Sequence, residues 1–295
     1  MITIKLSNIC LSAPTRYEIP SNQLYCALVN AGIQENIETN KLREIAISNG
    51  LPWKKDVLYA PINTNLKALI LNYKIKNFNE IRKKIKGMPI PLTYFDEINQ
   101  EKITKNIDEL KTEKQKILPL FEETKTAVNE NETAKEGTLF REQFWKTDEE
   151  AGIYFKIIGL NENEITKCMN YLKKDGLLGN KTRGKGIFEY QITEEKQGKG
   201  NHFISLSNYS PTNEELTYFQ EHDELVSYSL MENSGWTESS QPKQKPSITQ
   251  LRAGAILPTP KREAPYGKNG EYSIEGKNHE VFWQGKTIPY YMEVN

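Results

Sequence analysis

Near the start of the chain Ile2, Ile4 and Leu6 alternate with Thr3, Lys5 and Ser7, the period of a half-buried strand. Pro14 and Pro20 bound a loop, after which Ser21 is placed to cap a helix carrying Leu24, Ala27, Leu28 and Ile33 at helical spacing. Leu51-Pro52-Trp53 and Tyr59-Ala60-Pro61-Ile62 read as extended and turn-rich, because their prolines disfavour helix. A further helix is expected around Phe78 to Ile85, ended by Pro89 and Pro91. From Gly152 to Ile158 the chain is a strand, and the next helix buries Ile165, Cys168, Met169 and Leu172, with Asn163 or a neighbour as its cap. Lys173-Lys174-Asp175-Gly176 ends it, with cations and a glycine where a helix C-terminus favours them. A strand follows at Ile187–Ile192.

After Gly198 and Gly200 the pattern restarts. His202–Ser207 reads as a strand, and Thr212 with Glu215 three residues on forms a capping box that opens a helix. Glu224–Met231, Ile248–Leu257 and Glu280–Val294 are strand-like, and the polar stretch 233–247 reads as a loop. The expected fold is α+β, with two ferredoxin-like (RRM-like) domains at residues 1–197 and 198–295, the second degenerate. Between about 98 and 140 the composition shifts to Glu, Lys, Asn and Thr. Ile103, Ile107 and Leu110 allow a helical arm there, and the part after Pro119 reads as a mobile, charged insertion outside the core.

Composition narrows the options. Lys plus Arg and Asp plus Glu are 39 each in 295 residues, so a uniformly basic surface is excluded and any nucleic-acid contact must be a local patch. Cys10, Cys26 and Cys168 have no metal spacing and are odd in number, which reads as free, buried thiols in a reducing cytoplasm. Neither a signal peptide nor a membrane helix is expected.

One stretch carries chemistry. Gly176 to Phe188 holds four glycines and three cations between a helix and a strand. Glycines let backbone approach a ligand and expose its N–H groups, while Lys181, Arg183 and Lys185 can meet phosphate. A basic surface turn is the alternative on local composition alone. A nucleotide P-loop is disfavoured, because Gly186 stands where Ser or Thr is needed and the helix precedes the loop instead of following it.

Gly179-Asn180-Lys181-Thr182-Arg183-Gly184-Lys185-Gly186-Ile187-Phe188 resembles the hallmark glycine-rich loop of the RAMP superfamily of CRISPR proteins, with Asn180 and Arg183 where Gly and Ser are usual. Three further segments resemble, in order, motifs of the fourth subunit of type III-A (Csm) effector complexes. They are Ser21–Leu28, the Phe203–Thr212 segment with Glu214-Glu215, and Val281–Pro289, whose Gly285 favours III-A over III-B. The resemblance implies a non-catalytic subunit that grips the 5′ repeat tag of the crRNA and bridges a large polymerase-like subunit to a backbone RAMP subunit, without cofactor or metal. On it, Gly179, Lys181, Thr182, Arg183, Gly184, Lys185 and Gly186 become RNA-binding candidates. Trp236 is a stacking candidate or else a buried loop anchor, and Arg252 beside Gly254 a phosphate contact or else an ordinary surface cation. The rival readings are a RAMP endoribonuclease processing precursor crRNA and a protein-only scaffold. Metal-free cleavage needs a general base, and His202, His222 and His279 all lie outside the early helix region where such nucleases place theirs. A metal-dependent cut needs a carboxylate cluster, and Asp56, Asp96 and Asp148 form no evident pair.

Overall fold

The computed structural model describes residues 1–12, 18–61, 64, 90–96, 117–128, 134–178, 184–222, 225–236, 244–273 and 280–294. The fold is mixed α and β, with mostly antiparallel sheet and few helices. The anticipated helix around 78–85 and the Ile103–Leu110 stripe lie outside the described residues.

Strand β1 (Ile2–Ser12) is the spine of the first unit. It pairs antiparallel with β7 (Ala151–Ile158) on one side and with β8 (Ile187–Glu194) on the other. Next to β7 lie β2 (Ala46–Ile47) and β3 (Leu51–Lys54), and β4 (Val57–Leu58) closes that edge. Alternation in β1 changes parity midway: Ile2, Ile4 and Leu6 are buried, then Ile9 and Leu11. The register shifts between Ser7 and Cys10, and Asn8 has φ 47°. A one-residue slip would turn the second half of the strand inside out; the extra residue keeps both halves in the same core.

Helix α1 (Ser21–Gln34) follows β1, and α2 (Thr39–Glu44) leads into β2. The first residue of α1 is Ser21 and its cap position is Pro20, so Ser21 is not the cap; its backbone N–H donates to Asn49 Oδ1 at 2.9 Å. The buried face of α1 is Leu24, Tyr25, Leu28, Ala31 and Gly32, and Ile33 is exposed. Helix α3 (Glu162–Asp175) buries Ile165, Cys168, Met169 and Leu172, the four positions its spacing marks. Asn161 caps it: Glu164 N–H donates to Asn161 Oδ1 at 2.9 Å, and Asn161 N–H donates to Glu164 Oε2 at 2.8 Å. Helices α1 and α3 share the core with β1, β7 and Phe188 of β8.

The charged stretch after Pro119 is not a loose insertion. Strands β5 (Leu120–Val128) and β6 (Ala134–Lys146) form a hairpin, and β6 also pairs with the far end of β1 through Cys10–Ser12. Strands β6 and β7 therefore run along the same edge of β1, interrupted at 147–150, where Thr147 N–H donates to Ile9 O and Asn8 N–H to Asp148 O. The hairpin base buries Phe144 and Trp145. The polar composition that suggested mobility is cross-strand pairing, with Arg141 on Glu122 at 3.2 Å and Lys125 on Glu142.

In the second unit β9 (His202–Ser205) lies between β12 (Ile256–Pro258) and β17 (Pro289–Met292). Helix α4 (Asn213–Glu221) opens on the anticipated Thr212–Glu215 capping box. Strands β10 (Leu230–Trp236) and β11 (Gln244–Leu251) pair as a hairpin, so much of 233–247 is strand instead of loop. Residues 225–229 contribute only an isolated bridge, Ser227 to Ile256, where a full strand was expected from 224 to 231. Short pairs β13 (Tyr266–Gly267) with β16 (Lys286–Thr287), and β14 (Gly270–Ser273) with β15 (Glu280–Trp283), complete it.

The two units share a core of Leu51, Trp53 and Tyr154 from the first with Ile204, Leu206, Leu225, Ile256 and Met292 from the second. Amide side chains bind them too: Asn269 Nδ2 donates to Arg43 O at 2.7 Å and Ile45 O at 2.9 Å, and Gln284 Nε2 donates to Ile47 O. Of the cysteines, Cys168 is buried, Cys10 half-buried and Cys26 exposed, so burial explains one of the three.

Candidate nucleic-acid interface

The glycine-rich loop leaves α3 at Gly176, whose φ of 88° ends the helix while its N–H still donates to Leu172 O at 2.7 Å. Its two ends are then tied together. Leu177 N–H donates to Gly186 O at 3.0 Å, and Gly186 N–H donates to Cys10 O at 2.7 Å. Leu177 is buried in the core below. Gly186 has φ 88°, and a Cβ there would sit 3.0 Å from both Leu177 N and Leu177 O, so only glycine closes this neck without strain. Gly184 has φ 75° and nothing within 4 Å of where a Cβ would lie; it faces open space. Gly179, Lys181, Thr182 and Arg183 lie outside the described residues.

Lys185 behaves differently from a free phosphate-binding cation. Its side chain is 5% exposed, and its ammonium lies 3.2 Å from Glu123 Oε2 and 3.3 Å from the centre of the Phe144 ring. Glu123 also meets Lys125 at 3.3 Å, and Lys125 pairs with Glu142 across the hairpin. The hydrogen bond from Lys185 is the main cause holding the Glu123 carboxyl below its usual range, and the bond to Glu142 raises Lys125. The loop is thus pinned at its neck by β1 and at its last cation by the hairpin. Glu123 was not marked because the stretch from about 98 to 140 reads as surface insertion; for Phe144, just beyond it, the aromatic pair Phe144-Trp145 was the available signal.

Trp236 and Arg252 belong to the second unit. Trp236 ends β10, its backbone opposite Gln244. Arg252 is half-buried at a tight turn, where its N–H donates to Ser229 O at 2.8 Å and Gly254 N–H to Ser205 O at 2.7 Å.

The residues weighed for catalysis have structural partners. His202 Nδ1 lies 3.0 Å from Asn201 Oδ1; His222 ends α4, stacked on Tyr218 with Nδ1 2.9 Å from Tyr218 O. Asp56 pairs with Lys5 at 2.7 Å, Asp96 accepts from Tyr290 at 2.5 Å, and Asp148 accepts from Glu150 N–H at 3.0 Å. His279 lies outside the described residues. Among the described residues there is no group of three or more His, Cys, Asp or Glu that could hold a metal, and no helix long and apolar enough to cross a membrane.

Residues 198–292 match the family model of the CRISPR Csm4 C-terminal domain. A curated relative, the CRISPR system Cms protein Csm4 of Thermococcus onnurineus (strain NA1), is 29% identical over 163 residues; the match spans 51% of this chain and 48% of that protein, about half its length. In structure the chain is similar to a chain of a Csm3–Csm4 subcomplex of a type III-A CRISPR-Cas interference complex (TM-score 0.58, 18% identity, 98% of each chain). It is also similar to a chain of a Csm1–Csm4 cassette in complex with pppApA (TM-score 0.56, 16% identity, 100% of this chain and 98% of that one). At those identities the structural likeness speaks for the fold.

Proposed function

We propose that this chain is a Csm4-type RAMP protein, the non-catalytic crRNA-binding subunit of a type III-A effector complex, anchoring the 5′ repeat tag and bridging the large subunit to the backbone RAMP subunit. The observation that carries the reading is the loop, a glycine-rich segment held at its neck by β1 and Leu177, with three cations and an open outer bend at Gly184. Such a bend suits a phosphodiester backbone, which asks for N–H groups and positive charge without base-specific geometry. Support for the partners comes from the relatives, solved as a Csm1–Csm4 cassette and a Csm3–Csm4 subcomplex.

In this reading the chain has two units, 1–197 and 198–295. The first is ferredoxin-like: its core strand order β8-β1-β7-β3, antiparallel throughout, with helices after β1 and β7, is the order of that fold. The second is a reduced relative of it, with β9 central and α4 following. Lys181 and Arg183 are the phosphate-binding cations and Lys185 positions the loop.

The test is to titrate the full chain, alone and with its neighbouring subunits, against a labelled RNA bearing the 5′ tag and a scrambled control, while watching for cleavage. Tag-dependent binding with intact RNA is expected. Site-specific cutting by the chain alone would transfer the case to a processing nuclease.

A further inference from the structure

We propose that the cleft between the first turns of α1, the β10–β11 hairpin and Phe282–Gln284 is a pocket for an unstacked nucleobase, selective for bases that carry an exocyclic amine. The inference rests on the RNA-binding reading above and adds the place and the chemistry of base recognition. Asn22, Tyr25, Lys245, Ile248, Trp283 and Gln284 are among its lining residues, and its volume is about 60 Å³. That is room for roughly four to six waters, closer to the edge of one heteroaromatic ring than to a peptide.

Two buried acceptors in the lining have no donor. Gln284 is fully buried, and its Nε2 donates to Ile47 O and to Lys286 O, the latter at 3.0 Å. Those two carbonyls fix the amide, because turning it over would set oxygen against oxygen. Its Oε1 is left without a hydrogen-bond partner, and so is Asn22 Oδ1. Buried polar atoms are normally satisfied, and an orphaned acceptor in a site marks an absent donor. Carbonyl oxygens select N–H groups: the exocyclic amine of adenine, cytosine or guanine brings two N–H donors, one for each acceptor, whereas uracil has no such amine and offers only its single ring N–H.

The walls are stiff and aromatic, as single-stranded base recognition requires. The Trp283 ring lies across two glycines: a Cβ on Gly270 would come within 2.3 Å of it, and one on Gly285 within 2.5 Å. The Phe282 ring is covered by the Arg43 guanidinium at 4.1 Å. Lys245, half-buried on β11, is the cation for the adjoining phosphate.

The experiment is an amine scan. Each amino base of the tag RNA is replaced in turn by its amine-free counterpart, and affinity is measured for the full chain and for Asn22→Leu, whose folding is checked by melting temperature. At one tag position the wild type should weaken about fivefold, the worth of one hydrogen bond, while Asn22→Leu should respond less than twofold there. No sensitive position, or the same sensitivity in the variant, overturns the pocket and leaves tag binding as measured. A second arm does not depend on the tag. AMP and UMP are titrated separately while the side-chain amide resonances of Asn22 and Gln284 are followed by NMR. A response to AMP and none to UMP supports the pocket even for a chain that fails to bind tag RNA; no response, or the same response to both, overturns it.

Discussion

Lys185 is the sharpest point at which loop geometry and RNA binding come apart. Lys185→Met keeps the length of the stem and removes the charge. The ammonium is almost entirely shielded and lies 3.3 Å from the Phe144 ring centre, a contact that for a desolvated cation contributes about 2 kcal/mol. Glu123, the other partner, is itself accessible to water and so recovers its hydration when the lysine is lost. Removing a buried charge also removes its desolvation cost, so the net loss should be about 1–2 kcal/mol. For a chain of this size that lowers the melting temperature by roughly 2–3 °C. RNA affinity should fall modestly, through a looser loop, with the salt dependence of binding unchanged. Lys181→Ala with Arg183→Ala should do the reverse: no change in melting temperature, and a slope of log K against log salt reduced by roughly 1.4, at about 0.7 per phosphate on a single strand. The paired assays are thermal denaturation and a salt titration of tag binding. If Lys185→Met lowers the slope by about 0.7 and leaves the melting temperature alone, the side chain binds phosphate and the anchoring argument is wrong.

Gly186→Ala should cost about 2 kcal/mol, from the left-handed backbone and the crowding against Leu177, and lower both melting temperature and tag affinity; unchanged stability would deny the neck its role. Trp145→Ala, at the buried base of the hairpin, should cost about 3–5 kcal/mol by urea unfolding, and a loss near zero would return the hairpin to the status of a surface insertion. Glu215 is 2% exposed; burial pushes its carboxyl up, but Arg262 and the N–H groups of Thr212 and Gly267 more than offset this, leaving it below the ordinary 4.5. Its stabilisation is therefore complete above pH 4.5 and fades as pH falls toward the folded value. Glu215→Gln should be about 2 kcal/mol less stable at pH 7, with the gap closing in acid. A gap that is constant between pH 7 and pH 3 contradicts the assignment.

What the sequence made legible were elements whose signals are local. The α3 stripe and the Thr212–Glu215 box each need only a few neighbouring residues, and both formed as written, while the cap of α3 falls on Asn161, two residues before Asn163. The hairpins were missed because their stabilisation is not local. Strands β5 and β6 expose Leu120, Phe121, Leu139 and Phe140 and hold together through charges that read, one strand at a time, as a solvated tract. Strands β10 and β11 likewise carry few buried residues. Of the loop, its position between α3 and β8 was legible, but the turning of Lys185 toward Glu123 was not, since 62 residues separate them. The Phe282–Gln284 run was noticed as a motif; that its glutamine would be fixed by Ile47 O is a tertiary fact.

The amide fastenings across the two units bear on how such a protein passes on a load. Backbone oxygens of Arg43, Ile45 and Ile47 accept from Asn269 and Gln284, and Asn49 N–H donates to Leu206 O at 2.8 Å, so the second unit grips the α2–β2 segment by its main chain. The buried Gln284 amide is held by two carbonyls and Asn269 by several backbone groups, so these side chains have little freedom to absorb a displacement applied there. A neighbour pulling on the C-terminal strands would shift the whole body as one lever, with the joint acting as a weld and not as a pivot. Cutting the chain near residue 197 would then give two unsound pieces instead of two domains.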